Sequence, residues 1–84
     1  MADVTLELLY FAEVARKTGN PRETIRVPRE STLSELQEEI FRRHPLLKPM
    51  ERHLVWSVDE EVATPQTLVG TASRVGVMPP FSGG

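Results

Sequence analysis

Few residues in this chain have chemistry to offer. His44 and His53 are its two histidines, and cysteine is absent from all 84 residues. An isolated histidine pair falls short of a metal site, which takes three or four ligands, so no metal is expected. Ser34, Ser57 and Ser73 have no histidine and acid arranged around them that would activate a hydroxyl. The lack of cysteine excludes disulfides, thiolate metal sites and a thiol nucleophile together, and fits a reducing compartment. No glycine-rich phosphate loop is present either, since no helix follows Gly83-Gly84. On these grounds the chain is not a catalyst by itself.

What remains is the end of the sequence, Pro79-Pro80-Phe81-Ser82-Gly83-Gly84. Two prolines lack amide donors and cannot extend a sheet, and their fixed φ favours a stiff, extended exit. Six extended residues reach at most ~20 Å, at roughly 3.3 Å each, enough to enter a partner's cleft. Gly83 and Gly84 carry no side chains, so an enzyme can close tightly around their backbone. A terminal carboxyl, with a pKa of about 3.3–3.7, is an anion at neutral pH and a poor electrophile. It accepts sulfur or an amine only after activation, as an acyl-adenylate made from ATP. Displacement of AMP by sulfur then leaves a thiocarboxylate, and displacement by lysine leaves an isopeptide bond. Gly84 is the expected acyl acceptor and Gly83 gives access. Met78, Pro80 and Phe81 are expected partner contacts, with Phe81 placed beyond the last strand and Met78 shared with the core.

Something must hold that tail. Hydrophobic residues make up 39% and charged residues 26%, a composition that folds, and the length suits one domain with one core. The formal charge of -2 and arginines scattered among acids ask for neither nucleic acid nor an anionic membrane. Met1-Ala2-Asp3 does not open a signal peptide, and no apolar run approaches the ~20 residues that span a bilayer. A soluble, cytoplasmic protein is expected.

Val4 to Phe11 alternates early and then turns wholly apolar. Val4, Leu6, Leu8 and Tyr10 share one face and Thr5, Glu7, Leu9 and Phe11 the other, which predicts a central strand. Ala12 to Thr18 predicts a short helical turn closed by Gly19-Asn20-Pro21, and Glu23 to Val27 a second strand. Thr32 and Glu35 have capping-box spacing, and Leu33, Leu36, Ile40 and Phe41 recur at helical intervals until Pro45. His44 to Met50 reads as a loop or short turn, with His44 a helix-end or surface residue. Leu54–Val58, Val62–Thr64 and Arg74–Met78 predict three more strands, with Val75 and Val77 inward. Leu68 is expected to be buried in the connection before the last one. The fold class is α+β: a mixed sheet with one main helix on one face, a domain over 1–78 and an extended tail over 79–84.

Leu9-Tyr10-Phe11-Ala12 with Val14-Ala15 and Gly19, Ser31-Thr32-Leu33 opening the helix, and above all Val77 through Gly84 resemble one family closely. It is that of the small, sulfur-carrying subunits of molybdopterin synthase, among the ubiquitin-like β-grasp carriers. The resemblance covers nearly the whole chain. Two positions depart from it. Ser57 stands where the family commonly has asparagine, and Thr71-Ala72-Ser73-Arg74 replaces a Gly-Asp-Glu stretch, with Asp59, Glu60 and Glu61 lying elsewhere in the sequence.

The resemblance implies a β-grasp fold with the first and last strands parallel and adjacent. It also implies a cycle. An adenylating enzyme of the ubiquitin-activating type would use ATP on Gly84, and a sulfurtransferase would supply sulfur. The charged tail would then enter the large synthase subunit, in a heterotetramer, and deliver sulfur to cyclic pyranopterin monophosphate. No cofactor is expected to stay bound. Sulfur carriage for thiamine or tRNA thiolation, and conjugation to lysines as a ubiquitin-like modifier, stay open as alternatives.

Overall fold

The computed structural model describes residues 3–72 and 74–80. Strand β1 (Asp3–Tyr10) keeps the expected alternation: Leu6, Leu8 and Tyr10 are buried, while Thr5 is exposed and Glu7 and Leu9 are half-buried. A six-residue helix, α1 (Glu13–Thr18), follows and buries Val14. It stops at Gly19, whose φ of 84° lies in the left-handed region and whose N–H reaches the carbonyl of Ala15 at 2.9 Å. That C-cap conformation is one that glycine adopts without strain. Strand β2 (Arg22–Pro28) returns antiparallel to β1.

Helix α2 (Leu33–Arg43) begins as its sequence requires. The Glu35 N–H donates to the Thr32 hydroxyl oxygen at 3.3 Å, and the Thr32 N–H donates to the Glu35 carboxylate at 2.9 Å. Both halves of the capping box are therefore made. Leu33, Leu36 and Ile40 are buried to about 1% exposure or less, each contributing about 1.5–3 kcal/mol of apolar burial. Phe41 is half-buried and meets the edge of Trp56.

The next segment corrects the sequence reading. Residues taken as a loop form a 3-10 helix, Pro45–His53, with Leu47 fully buried. Pro45 occupies its first turn, where a missing N–H costs nothing. Strands β3 (Val55–Val58), β4 (Glu61–Val62) and β5 (Arg74–Met78) complete the chain, β4 starting one residue earlier and ending sooner than expected.

The sheet order is β2-β1-β5-β3-β4. β1 and β5 pair in parallel at the centre, and the remaining pairs are antiparallel. With α2 crossing one face, this is the β-grasp arrangement. The core gathers Leu6, Leu8 and Tyr10 of β1, Val75 and Val77 of β5, Trp56 of β3, and the buried residues of all three helices.

Leu68 was expected inside and is not: it is 57% exposed, whereas Val69 is fully buried. The cause is backbone pairing with the start of α2. Thr32 bridges Leu68, and the Val69 N–H donates to the Ser31 carbonyl at 2.9 Å, which turns Val69 inward. Gly70 then lies against the Arg29 carbonyl so closely that a Cβ there would sit 1.6 Å from its oxygen.

Candidate functional site

The site is the end of β5 and the sheet face around it. β5 holds the most protected position in the sheet, between β1 and β3, with Val75 and Val77 fully buried. Its pairing ends at Met78, which is half-buried and opposite Val55. Pro79 and Pro80 cannot donate to a neighbouring strand, so the ladder stops there; Pro79 is half-buried and Pro80 exposed. Whatever follows Met78 is thus launched from the rigid centre of the domain. Phe81, Gly83 and Gly84 lie outside the described residues.

The face of the sheet opposite α2 is built by the residues that alternation leaves over. Phe11, one position beyond β1, still donates its N–H to the Val77 carbonyl at 3.2 Å. Its ring, with the side chain of Ser57, covers Gly76: a Cβ on Gly76 would meet the Ser57 Oγ at 2.6 Å and the Phe11 ring at 3.4 Å. Gly76 is also the register partner of Leu9 on one side and Ser57 on the other. Around the exit of the tail, therefore, lie Leu9, Phe11, Val55 and Met78, with Val62 one strand further out and paired to Ser57. Phe11 is 45% and Val62 80% exposed. An exposed aromatic and aliphatics around a stiff exit make a surface suited to a protein partner rather than to a small ligand.

The opposite end of the same face is charged. Glu7 reaches Arg22 at 3.5 Å and Arg74 at 4.0 Å, and Arg74 reaches Glu60 at 3.7 Å. These pairs are exposed and stabilise little. They do give the face a polar rim beside its apolar end.

Of the residues expected from sequence, Met78 and Pro80 are in place at the exit. The alternation of β1 already put Leu9 and Phe11 on the non-core face, but their union with Val55, Val62 and Gly76 was missed, because it depends on strand order. The glycine inside RVGVM was the available signal, since glycine in a strand marks a close approach. The departures from the family pattern also find their positions. Ser57 packs over Gly76, beside the tail-bearing strand. Asp59, which lies elsewhere in the sequence, is brought by the fold to the start of β5: its carboxylate accepts from the Arg74 N–H at 3.1 Å, and its own N–H donates to the Arg74 carbonyl at 2.9 Å.

Among the described residues no three histidines, aspartates or glutamates gather to hold a metal ion. No helix among them is long and apolar enough to cross a membrane.

Residues 8–84 match the ThiS family. The molybdopterin synthase sulfur carrier subunit of Homo sapiens is 39% identical over 82 residues, covering 94% of this chain and 93% of the human protein. The protein of the same name from Caenorhabditis briggsae is 31% identical over 83 residues, covering 96% of this chain and 99% of that one. In fold, the crystal structure of SAMP1 from Haloferax volcanii superposes with a TM-score of 0.81 over 96% of this chain and 100% of that chain, at 21% identity. A central strand that leads to the tail, an apolar face around it and relatives matched over nearly their full length agree: the chain belongs to the ThiS family, alongside the molybdopterin synthase sulfur carrier subunits.

Proposed function

We propose that this chain is the sulfur carrier of a molybdopterin synthase, bearing its sulfur as a thiocarboxylate on Gly84. The observation that carries the reading is the family match, which runs through residue 84 and includes relatives bearing that name. The role of the fold is mechanical. β5 anchors the tail in the core, the two prolines direct it away from the sheet, and the apolar end of the open face orients the carrier on each partner. Met78, Pro80 and Phe81 contact the partner around the root of the tail, and Gly83 lets it close on the backbone.

The chemistry belongs to the carboxylate and to enzymes that act on it. A Gly84 oxygen attacks the α-phosphorus of ATP on an adenylating partner, and pyrophosphate leaves. A sulfide-level donor, supplied by a sulfurtransferase, attacks the activated carbonyl carbon and AMP leaves, giving the thiocarboxylate. The charged carrier then docks on the large synthase subunit, within a heterotetramer, and yields its sulfur to cyclic pyranopterin monophosphate. The carrier supplies no catalytic side chain in this scheme: once its sulfur has attacked the pterin, water cleaves the acyl–sulfur bond, leaving the sulfur on the pterin and returning the Gly84 carboxylate for the next round.

Intact-mass measurement tests the reading. The chain is incubated with ATP, an adenylating enzyme of the ubiquitin-activating type and a sulfur donor. The expected product gains the mass difference of one oxygen exchanged for sulfur, and a variant lacking Gly83 and Gly84 gains nothing. Adducts on lysines of other proteins in place of that gain would favour a modifier. No change, with an activating enzyme that charges another carrier, would overturn the proposal.

A further inference from the structure

Strand β2 closes one side of the sheet and pairs with β1 alone. The register runs from Asp3 opposite Pro28 to Leu9 opposite Arg22, and the next bond, from the Tyr10 N–H to the Pro21 carbonyl at 2.8 Å, sets its phase. Pro21, Glu23, Ile25 and Val27 turn their backbone groups toward β1. Alternation then leaves the N–H and C=O of Arg22, Thr24 and Arg26 directed outward. These three residues are exposed. Prolines 21 and 28 bound the run, so the open edge is short and defined.

Beside this edge, between the end of β2 and α2, lies a cleft of about 370 Å³. Val27 and Leu36 form its apolar floor, Glu30, Glu35 and Glu39 rim it, and Arg26 borders it at the strand edge. Glu39 is already engaged by Arg42 and Arg43. Glu30 has no ion pair among the described residues, and Glu35 faces only backbone and the Thr32 hydroxyl, so these two carboxylates outweigh Arg26 at the border and the cleft is net negative. On the other side of the edge the sign reverses. Arg22 and Arg26 stand on the open face with Thr24 between them; Arg22 shares its charge with the exposed pair to Glu7 at 3.5 Å, and Arg26 has no ion pair among the described residues.

Arginines on an edge discourage self-association. A second copy added antiparallel about Thr24 would set Arg22 against Arg26, like charge against like. The same pair favours a different strand. We infer that the β2 edge is a second docking site, which takes an extended segment of a partner protein as a sixth, antiparallel strand. Its side chains alternate, as strand geometry requires. Those on the open face are acidic opposite Arg22 and Arg26, with a small β-branched residue opposite Thr24. Those opposite Ile25 and Val27 are lysines, their alkyl stems over Val27 and Leu36 and their ammonium groups toward Glu30 and Glu35, while the one opposite Glu23, a carboxylate already engaged by Tyr10, His44 and Arg43, is uncharged. Backbone bonds to the edge hold the segment, and the two-sided charge pattern selects it. The site lies two strands from β5, so a partner held there leaves the tail free.

The test uses isotope-labelled full-length chain and a synthetic peptide containing Lys-Glu-Lys-Val-Thr-Glu, with a scrambled peptide of equal composition as control. Binding is expected to slow hydrogen exchange at the Thr24 and Arg26 amides by about tenfold or more, the scale of ~1.4 kcal/mol. Arg26→Glu, an exposed change, is expected to weaken the peptide by a similar factor and to favour a peptide with lysine at the facing position. Thr24→Pro removes one outward donor without touching the β1 ladder and provides a second check on the edge. Equal binding of the scrambled peptide, unprotected Thr24 and Arg26 amides, or binding indifferent to both variants would overturn the inference.

Discussion

His44 Nε2 lies 2.6 Å from Glu23 Oε2, joining residues 21 positions apart in the chain. The same carboxylate oxygen accepts the Tyr10 hydroxyl at 2.5 Å, and Arg43 stands 3.6 Å from the other oxygen. The end of β1, the start of β2 and the end of α2 are thereby tied at one point. The Tyr10 and His44 rings also meet edge to face at 5.7 Å.

The knot makes stability depend on pH in a defined direction. Burial alone would raise the Glu23 carboxyl. Hydrogen bonds from Tyr10 and His44 and the positive charges of His44 and Arg43 outweigh it, and the pKa falls below its ordinary 4.5. A depressed carboxylate stabilises the fold above its unfolded value and loses that contribution as pH falls through the folded one. Tyr10 shifts the other way, raised from 10.0 chiefly by burial and then by its bond to Glu23 and that group's charge. Its contribution is complete below pH 10 and is lost only above. Urea denaturation across pH is expected to show an acid limb below about 4.5 that Glu23→Gln flattens. Tyr10→Phe is expected to cost about 1–3 kcal/mol at neutral pH, because Glu23 loses a buried donor. An acid limb unchanged in Glu23→Gln would count against the assignment.

Gly70 fixes the connection before β5 to the turn before α2. A Cβ there would overlap the Arg29 carbonyl, a backbone group that cannot swing aside, with its oxygen only 1.6 Å away. Gly70→Ala is expected to destabilise by about 3 kcal/mol or more, since the main chain must separate. Equilibrium unfolding of the two proteins measures it, and a difference below about 1 kcal/mol would contradict the close approach.

The β3–β4 hairpin turns through Asp59 and Glu60, whose φ values are 50° and 75°. Two positive values in a two-residue loop suit the right-handed twist of the strands but favour Asn-Gly over the acids found here. Asp59 has compensation from its bonds with Arg74. Glu60 has an exposed pair with Arg74 at 3.7 Å, which adds little. Glu60→Gly is expected to raise stability by about 0.5–1 kcal/mol, read as a higher melting temperature. A lower melting temperature would show that the pair with Arg74 outweighs the backbone cost.

How far the sequence could be read follows the range of the interactions. The capping box of Thr32 and Glu35, the stripe Leu33, Leu36, Ile40 and the inward Val75 and Val77 are local patterns, and each appears as expected. Val69 was missed by one position because its burial is set by pairing with Ser31, across α2 and two strands of sequence. The 3-10 helix was missed because Pro45 read as the stop of α2, although a proline in the first turn opens the next helix. His44 closes α2 as the helix-end reading had it, its N–H donating to the Ile40 carbonyl, but its bond to Glu23 was out of reach because that partner belongs to another element. The open face had the same difficulty: Leu9 and Phe11 were legible on it, but Gly76, Ser57 and Val62 join them only through sheet order.

Phe11 gives the sharpest test of that face. It packs on Gly76 beside the root of the tail, yet remains 45% exposed, so the core does not need it. Phe11→Ala is therefore expected to change folding stability by under about 1 kcal/mol. Aromatic residues at the centre of an interface commonly carry 2 kcal/mol or more, so affinity for the large synthase subunit is expected to fall roughly thirtyfold. The carrier's mass gain with an excess of activating enzyme should persist, because the carboxylate is untouched. Titration calorimetry against the large subunit separates the two effects. Full affinity in a well-folded Phe11→Ala protein would move the docking surface away from the open face, while a loss of affinity matched by a loss of stability would make Phe11 a core residue after all.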